Sequence, residues 1–203
     1  MNKKETIAMI REKILAEADA LVRVADQMDE TCFSAVELIV NCKGRVILTG
    51  LGKTGHIGKK IAASMASLGI PAFFVHSDES LHGDMGMITK NDVVIMISNS
   101  GKSEEIVKML APLKVIGPKT ISITKNLKSP LAEGTDISIL CDAGEEVDSL
   151  GLAPTTSTTA VLAVGDALAI VASHLKGFKK SDFALSHPGG ALGQQLLSEL
   201  EKK

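Results

Sequence analysis

Two loops carry residues whose types and order suit the grip of a phosphate. The first runs Ser98-Asn99-Ser100-Gly101-Lys102-Ser103-Glu104-Glu105, between the apolar run Val93 to Ile97 and a helical pattern. Serine hydroxyls, free backbone N–H groups and a helix start together make an anion site, because the first amides of a helix lack internal partners and that dipole end is positive. Ser103 acting only as an N-cap, with the other serines as turn formers, would explain the same residues without a ligand. The second loop, Gly50-Leu51-Gly52-Lys53-Thr54-Gly55, follows Val46 to Thr49 and opens another helix. It has the GxGxxG spacing of dinucleotide folds. The acidic residue those folds need at the end of the second strand is only approximated by Asp78, three positions past Val75. Ile47 stands where a Walker A loop needs its first glycine, which excludes that loop. A tight strand-to-helix turn without a ligand is the plain alternative.

Farther along, Glu145-Glu146 precede Leu150-Gly151-Leu152-Ala153-Pro154-Thr155-Thr156-Ser157-Thr158-Thr159, a hydroxyl-rich start to an apolar helix that a single cap would satisfy. His187 lies in Ser186-His187-Pro188-Gly189-Gly190 and His82 in His82-Gly83-Asp84-Met85-Gly86. The five histidines have no metal-ligand spacing, so neither a metal nor another cofactor is expected.

The elements that must hold these loops follow from hydrophobic periodicity. Ile7, Ile10, Ile14, Ala18, Leu21 and Ala25 recur at helical steps, giving an amphipathic helix from Glu5 to about Met28, and a second passes through Phe33, Val36 and Val40. Short β-branched runs then follow at Val46 to Thr49, Phe73 to Val75, Val93 to Ile97, Thr120 to Thr124 and Ile137 to Leu140. Helical patterns separate them at Ile57 to Leu68, Ser103 to about Leu110 and near Pro130, and Thr156 to Leu175 reads as a buried helix. Such alternation predicts a parallel sheet with helices on both faces, in which ligands sit beyond the carboxyl ends of the strands.

Composition narrows the partners. The 203 residues suit one domain, read as leading helices over 1–42 and an α/β sandwich over 43–200. With 22 Lys+Arg against 24 Asp+Glu the formal charge is −2, which lacks the basic excess of a nucleic-acid binder. There are no Trp or Tyr and only five Phe, so base-stacking platforms are missing too. Cys32, Cys42 and Cys141 are odd in number and form no CxxC pair, which points to reduced core residues and a cytoplasmic chain. Charges interrupt the N-terminus where an export signal needs an apolar run, and no stretch is read as reaching the ~18 apolar residues of a membrane span, so no membrane partner is expected.

Five stretches, GLGKTGHIGKKIAASMASLG, FFVHSDESLHGDMGM, ISNSGKSEEI, LGLAPTTSTTAVLAVGDALA and FALSHPGGALG, together resemble the sugar isomerase (SIS) domain superfamily, and within it the arabinose 5-phosphate isomerases. The resemblance implies a flavodoxin-like five-stranded parallel sheet and a homotetramer with shared active sites. Its implied activity is interconversion of D-ribulose 5-phosphate and D-arabinose 5-phosphate through an enediolate, toward lipopolysaccharide or capsule. Lys53, Glu105, Glu146 and His187 match the family's active-site set, and Thr54, Ser98, Asn99, Ser100 and Ser103 match positions that hold the sugar phosphate. Gly52, His82 and Thr155 join them as substrate-binding positions. Glu146 is the expected base, with burial raising its pKa from the ordinary ~4.3. Lys53 would polarise the oxygens, His187 would move protons between them, and Glu105 would orient Lys53 or hold hydroxyls.

Three departures stand out: the chain is read as the form without the paired CBS domains many relatives carry; Val147-Asp148-Ser149 stands where Ala-Cys-Pro is common; and Lys102 replaces a common Glu. The rival readings are a non-catalytic sugar-phosphate-binding module and an NAD-dependent oxidoreductase built on GxGxxG.

Overall fold

The computed structural model describes residues 2–190 and 193–195; Ala191 and Leu192 of the last motif, and the expected boundary at 200, lie outside them. The elements run α1 (Lys3–Ala25), α2 (Glu30–Asn41), β1 (Val46–Gly50), α3 (Gly52–Ser67), β2 (Ala72–His76), α4 (Ser77–Ser80) and a 3-10 turn at Asp84–Met87. They continue with β3 (Val93–Ile97), α5 (Glu104–Ile116), β4 (Lys119–Thr124), α6 (Pro130–Gly134), β5 (Ile137–Leu140), α7 (Thr156–Leu175) and α8 (Lys180–Ser186). All five strands pair in parallel in the order β2-β1-β3-β4-β5. The fold is therefore the predicted α/β sandwich on a flavodoxin-like sheet.

Alternation along the strands builds two apolar layers. Val46, Leu48, Val93, Ile95, Ile97, Ile121, Ile123 and Ile139 face α1, α2, α3 and α7, while Ile47, Val94 and Met96 face α5 and α6 through Ile106, Met109, Leu113 and Leu131. Small residues let α7 lie close to α3: a Cβ at Gly165 would collide with the Ile61 side chain. Only one face of α7 is buried, since Ile170, Val171 and Leu175 remain exposed, so the expectation of a helix buried all round holds for half of it. By length and composition alone α7 is long and apolar enough to cross a membrane, which corrects the expectation that no stretch reaches that length. Its Asp166 pairs with Lys60 of α3 at 2.5 Å and its inner face fills the core, so it serves here as a packing helix.

Three boundaries move from those read in the sequence. α3 starts at Gly52 rather than Ile57, so the glycine loop is itself the first helical turn. α5 runs through Pro112 to Ile116, because Leu113 beyond the proline is buried and Gly117, at φ 86°, closes the helix by donating its N–H to Leu113 O at 2.8 Å. α4, the 3-10 turn and α8 are additional, being too short to show a period. In α1 only Ala20 and Val24 are buried, and Ile7, Ile10 and Ile14 stay exposed as an uncovered apolar stripe.

Candidate active site

Between β1 and β3 the strand order reverses, and the two phosphate-type loops leave the sheet there, side by side at its carboxyl edge. In the glycine loop the residues are explained first by packing. A Cβ on Gly55 would sit 3.0 Å from Gly50 O, and one on Gly58 would be 3.0 Å from the Phe74 ring, so both let α3 approach the strands. Gly52 is different: its φ of +57° favours glycine, and a Cβ there would meet nothing within 4 Å, so this backbone faces open space. Lys53 is exposed beside it. Thr54 donates its hydroxyl to Leu51 O at 2.8 Å, which leaves its oxygen lone pairs, not its proton, for a ligand.

The serine loop is braced from below. Ser98 N–H donates to Ile123 O at 3.2 Å, Lys125 N–H and Thr124 Oγ1 donate to Asn99 O at 3.0 and 3.1 Å, and Leu131 N–H donates to Gly101 O at 3.2 Å. Ser98 is buried, and its Oγ accepts Gly101 N–H at 3.2 Å while lying 3.0 Å from Ser103 Oγ. Ser103 holds the N-cap position of α5, yet its side chain makes no cap hydrogen bond. Its hydroxyl turns to Ser98, so capping does not account for it, and the first amides of α5 keep their donors for another acceptor. Ser100 is exposed on the rim and accepts Lys102 N–H at 3.2 Å. Glu105 is half-buried one residue into α5. Among the described residues it makes no ion pair with Lys53, which leaves the holding of substrate hydroxyls as the other role expected of it; Lys108 pairs with Glu104 at 2.7 Å.

Glu146 enters from the far side of the sheet. Its Oε2 accepts Thr155 N–H at 2.7 Å, Thr155 Oγ1 at 3.2 Å and Ser157 N–H at 3.2 Å, so it caps α7 from nine residues upstream. Burial pushes this carboxyl's pKa up, but the hydrogen bonds from Ser157 and Thr155 outweigh it and hold the group below its ordinary range. That corrects the expected upward shift. Contacts between α3 and α7 set where the cap lies. Lys60 meets Asp166 and Ser173 Oγ donates to Leu68 O at 2.8 Å, at separations of 106 and 105 residues, so the helices run in the same direction. The start of α7, which Glu146 caps, therefore points toward the same end of the pair as the start of α3, which bears Lys53.

His187 lies elsewhere. Its Nε2 is 2.9 Å from Ser67 Oγ, its Nδ1 is 2.9 Å from Phe183 O, and its ring stacks on Phe183 at 3.9 Å. Ser67 ends α3, fourteen residues from Lys53, which is ~21 Å at about 1.5 Å per residue. Within one protomer the histidine is thus not brought to Lys53, Glu105 and Glu146. His82 is exposed after α4, on the β2 side of the carboxyl edge. Asp78 lies in α4, two residues past the end of β2, and its backbone N–H donates to His76 Nδ1 at 3.3 Å. Two participants escape a reading of the sequence. Ser157 is one hydroxyl among many in its run, and Asp148 organises the loop after Glu146; an Asp three residues before Gly151 is a turn signal that could expose it.

Residues 38–171 match the SIS domain family. Arabinose 5-phosphate isomerase KdsD of Pseudomonas aeruginosa PAO1 is 51% identical over 181 residues, covering 89% of this chain and 54% of its own length. Arabinose 5-phosphate isomerase KpsF of Escherichia coli CFT073 is 46% identical over 195 residues, covering 96% and 60%. The chain thus spans a little over half the length of these curated relatives. An Escherichia coli CFT073 protein solved in complex with arabinose 5-phosphate is 44% identical, with a TM-score of 0.90 over 93% of this chain and 100% of that one.

Proposed function

The chain belongs to the SIS domain family, and on that premise we propose that it is an aldose–ketose isomerase interconverting D-ribulose 5-phosphate and D-arabinose 5-phosphate. The observation that carries the reading is Ser103: an N-cap serine whose hydroxyl is turned away from the helix amides, leaving them and the serine hydroxyls for a phosphate at the switch point of the sheet. The names of the relatives supply the sugar.

In the proposed reaction the phosphate is anchored by Ser98, Asn99, Ser100, Ser103 and the start of α5, with Gly52 and Thr54 opposite. A base removes the C1 proton of the ketose, the electron pair forms the enediolate, and the same proton returns to C2 as the carbonyl moves to C1. Glu146 is the base we assign. Its depressed pKa keeps it ionised, and the bonds to Oε2 fix the carboxylate at the start of α7. Lys53 offsets the developing oxyanion, and His187 shuttles the proton between O2 and O1. Because His187 is seated on Ser67, its participation requires a neighbouring subunit, and the exposed stripe of Ile7, Ile10 and Ile14 is a surface such association would cover. We read the protein as a cytoplasmic homotetramer with phosphorylated pentose as its partner; reduced thiols, Cys141 with its pKa pushed by burial to about 12, agree with that compartment. The test is to mix purified chain with ribulose 5-phosphate and follow arabinose 5-phosphate by NMR. Turnover supports the reading; binding without turnover would leave a sugar-phosphate-binding module.

A further inference from the structure

Three consecutive residues tie the outgoing limb of the loop after β5 to its returning limb. Glu146 Oε2 holds the amides of Thr155 and Ser157, and Val147 N–H donates to Thr156 Oγ1 at 3.0 Å. Asp148 closes the tip: its Oδ1 accepts Leu150 N–H at 2.7 Å, and its Oδ2 accepts Leu152 N–H at 2.7 Å and Ala153 N–H at 2.6 Å. The chain reverses inside this ring through Gly151 at φ +65°. Apolar packing does little to hold the tip, since Leu150 and Leu152 are 75% and 76% exposed. Besides Gly151 N–H on the Asp148 carbonyl at 3.1 Å, the tip is held by this one carboxylate.

We infer that Asp148 is a positioning residue for Glu146, acting through the backbone from Ala153 to Thr155. The inference rests on Glu146 being the base of the proposed reaction. Ala153 is the last amide anchored on Asp148, Pro154 fixes the next φ, and Thr155 is the first amide on Glu146, so one stiff residue separates the two carboxylates' grips. Releasing Ala153 frees Thr155 to drift, and with it the orientation of Oε1. Backbone N–H bonds from Leu150 and its neighbours also hold the Asp148 pKa down, so the clamp stays charged across neutral pH. Around Glu146 an open pocket of about 400 Å³ is lined by Lys13, Asp19 and Arg23 of α1 and by Glu145 and Asp148 of its own loop. The Glu146 shift itself comes from burial and from the Ser157 and Thr155 donors.

The experiment compares the wild-type chain with Asp148→Ala and Asp148→Asn, the latter keeping one acceptor oxygen and guarding against a folding defect. Using ribulose 5-phosphate, kcat should fall by about ten- to a hundredfold in the Ala variant and less in the Asn variant. KM should stay within about twofold, because the phosphate loop is elsewhere. The acid limb of kcat should move to higher pH as Glu146 loses donors and its pKa rises. Independently of turnover, amide exchange should accelerate at Thr155 and Ser157 as well as at Leu150, Leu152 and Ala153. Unchanged kcat, or acceleration confined to 150–153, would overturn the positioning role. A wild type that does not turn over the phosphosugar would instead sink the isomerase reading, and exchange at Thr155 and Ser157 would still decide whether Asp148 holds Glu146.

Discussion

Pairing two dead chains tests the separation of His187 from the rest of the site. Take one chain carrying His187→Ala and another carrying Glu146→Ala, each inactive alone, and mix them in equal amounts under denaturing conditions before refolding. His187 is fixed on Ser67 at the far end of α3, ~21 Å from Lys53 along that helix, and so cannot complete the site of its own protomer. A working site then needs an intact Glu146 from one chain and an intact His187 from another. Under random assortment each is intact in half of the positions, so about a quarter of the wild-type rate should return. The assay is formation of arabinose 5-phosphate from ribulose 5-phosphate, with sedimentation and mass spectrometry to establish that mixed oligomers have formed. If they form and the rate stays at the parental background, or if active wild type sediments as a monomer, the reasoning about His187 is wrong.

Other expectations are independent of that one. Ser100→Ala, on the rim, should raise KM by about tenfold with little change in Tm, for the loss of one charge-assisted hydrogen bond of ~1.5 kcal/mol. Ser98→Ala should raise KM and also lower Tm, because Ser98 Oγ accepts Gly101 N–H; an unchanged KM in both would refute the anchor. Exhaustive chelation should leave the rate intact, since Lys53 is proposed to meet the oxyanion; loss on chelation that a divalent ion restores would move His82 and His187 to the head of a search for ligands. Among the described residues Ser77 Oγ is buried without a hydrogen-bond partner, so Ser77→Ala should be neutral or stabilising by up to ~1 kcal/mol in thermal unfolding. Clear destabilisation would mean that the hydroxyl has a partner.

Legibility in the sequence follows the strength of local pattern. Val93–Ile97 is apolar at every position and α7 carries twenty residues of helix between a Pro-Thr start and Gly177, and both have the bounds the sequence indicates. The sequence cuts α5 short before Pro112 because a proline normally ends a helix; burial of Leu113 against the sheet is a tertiary effect that no window of sequence contains. The serine loop can be read from hydroxyl spacing and its position after a strand. Whether Ser103 caps α5 or faces Ser98 is decided by a rotamer, which residue spacing does not encode. Glu146 is legible as a residue but not as an environment. Burial alone argues for a raised pKa, whereas the donors that reverse it come from Thr155 and Ser157, brought back by a turn whose builder, Asp148, shows in the sequence as a turn signal before Gly151 but not as a support of Glu146.

A parallel sheet begins several helices along one edge, and each beginning is a seat for an anion. Glu146 occupies the seat at α7, so a visiting phosphodianion is turned away from it by like charge, while the amides at α5 are claimed by no side-chain cap. On the proposed reading a sugar phosphate docks in one sense, phosphate toward α5 and reacting carbons toward the resident carboxylate. The span between the two helix starts becomes a ruler. On the proposed reaction, a sugar phosphate whose carbon chain matches that span should offer C1 and C2 to Glu146, and one a carbon shorter or longer should bind at its tail yet turn over more slowly.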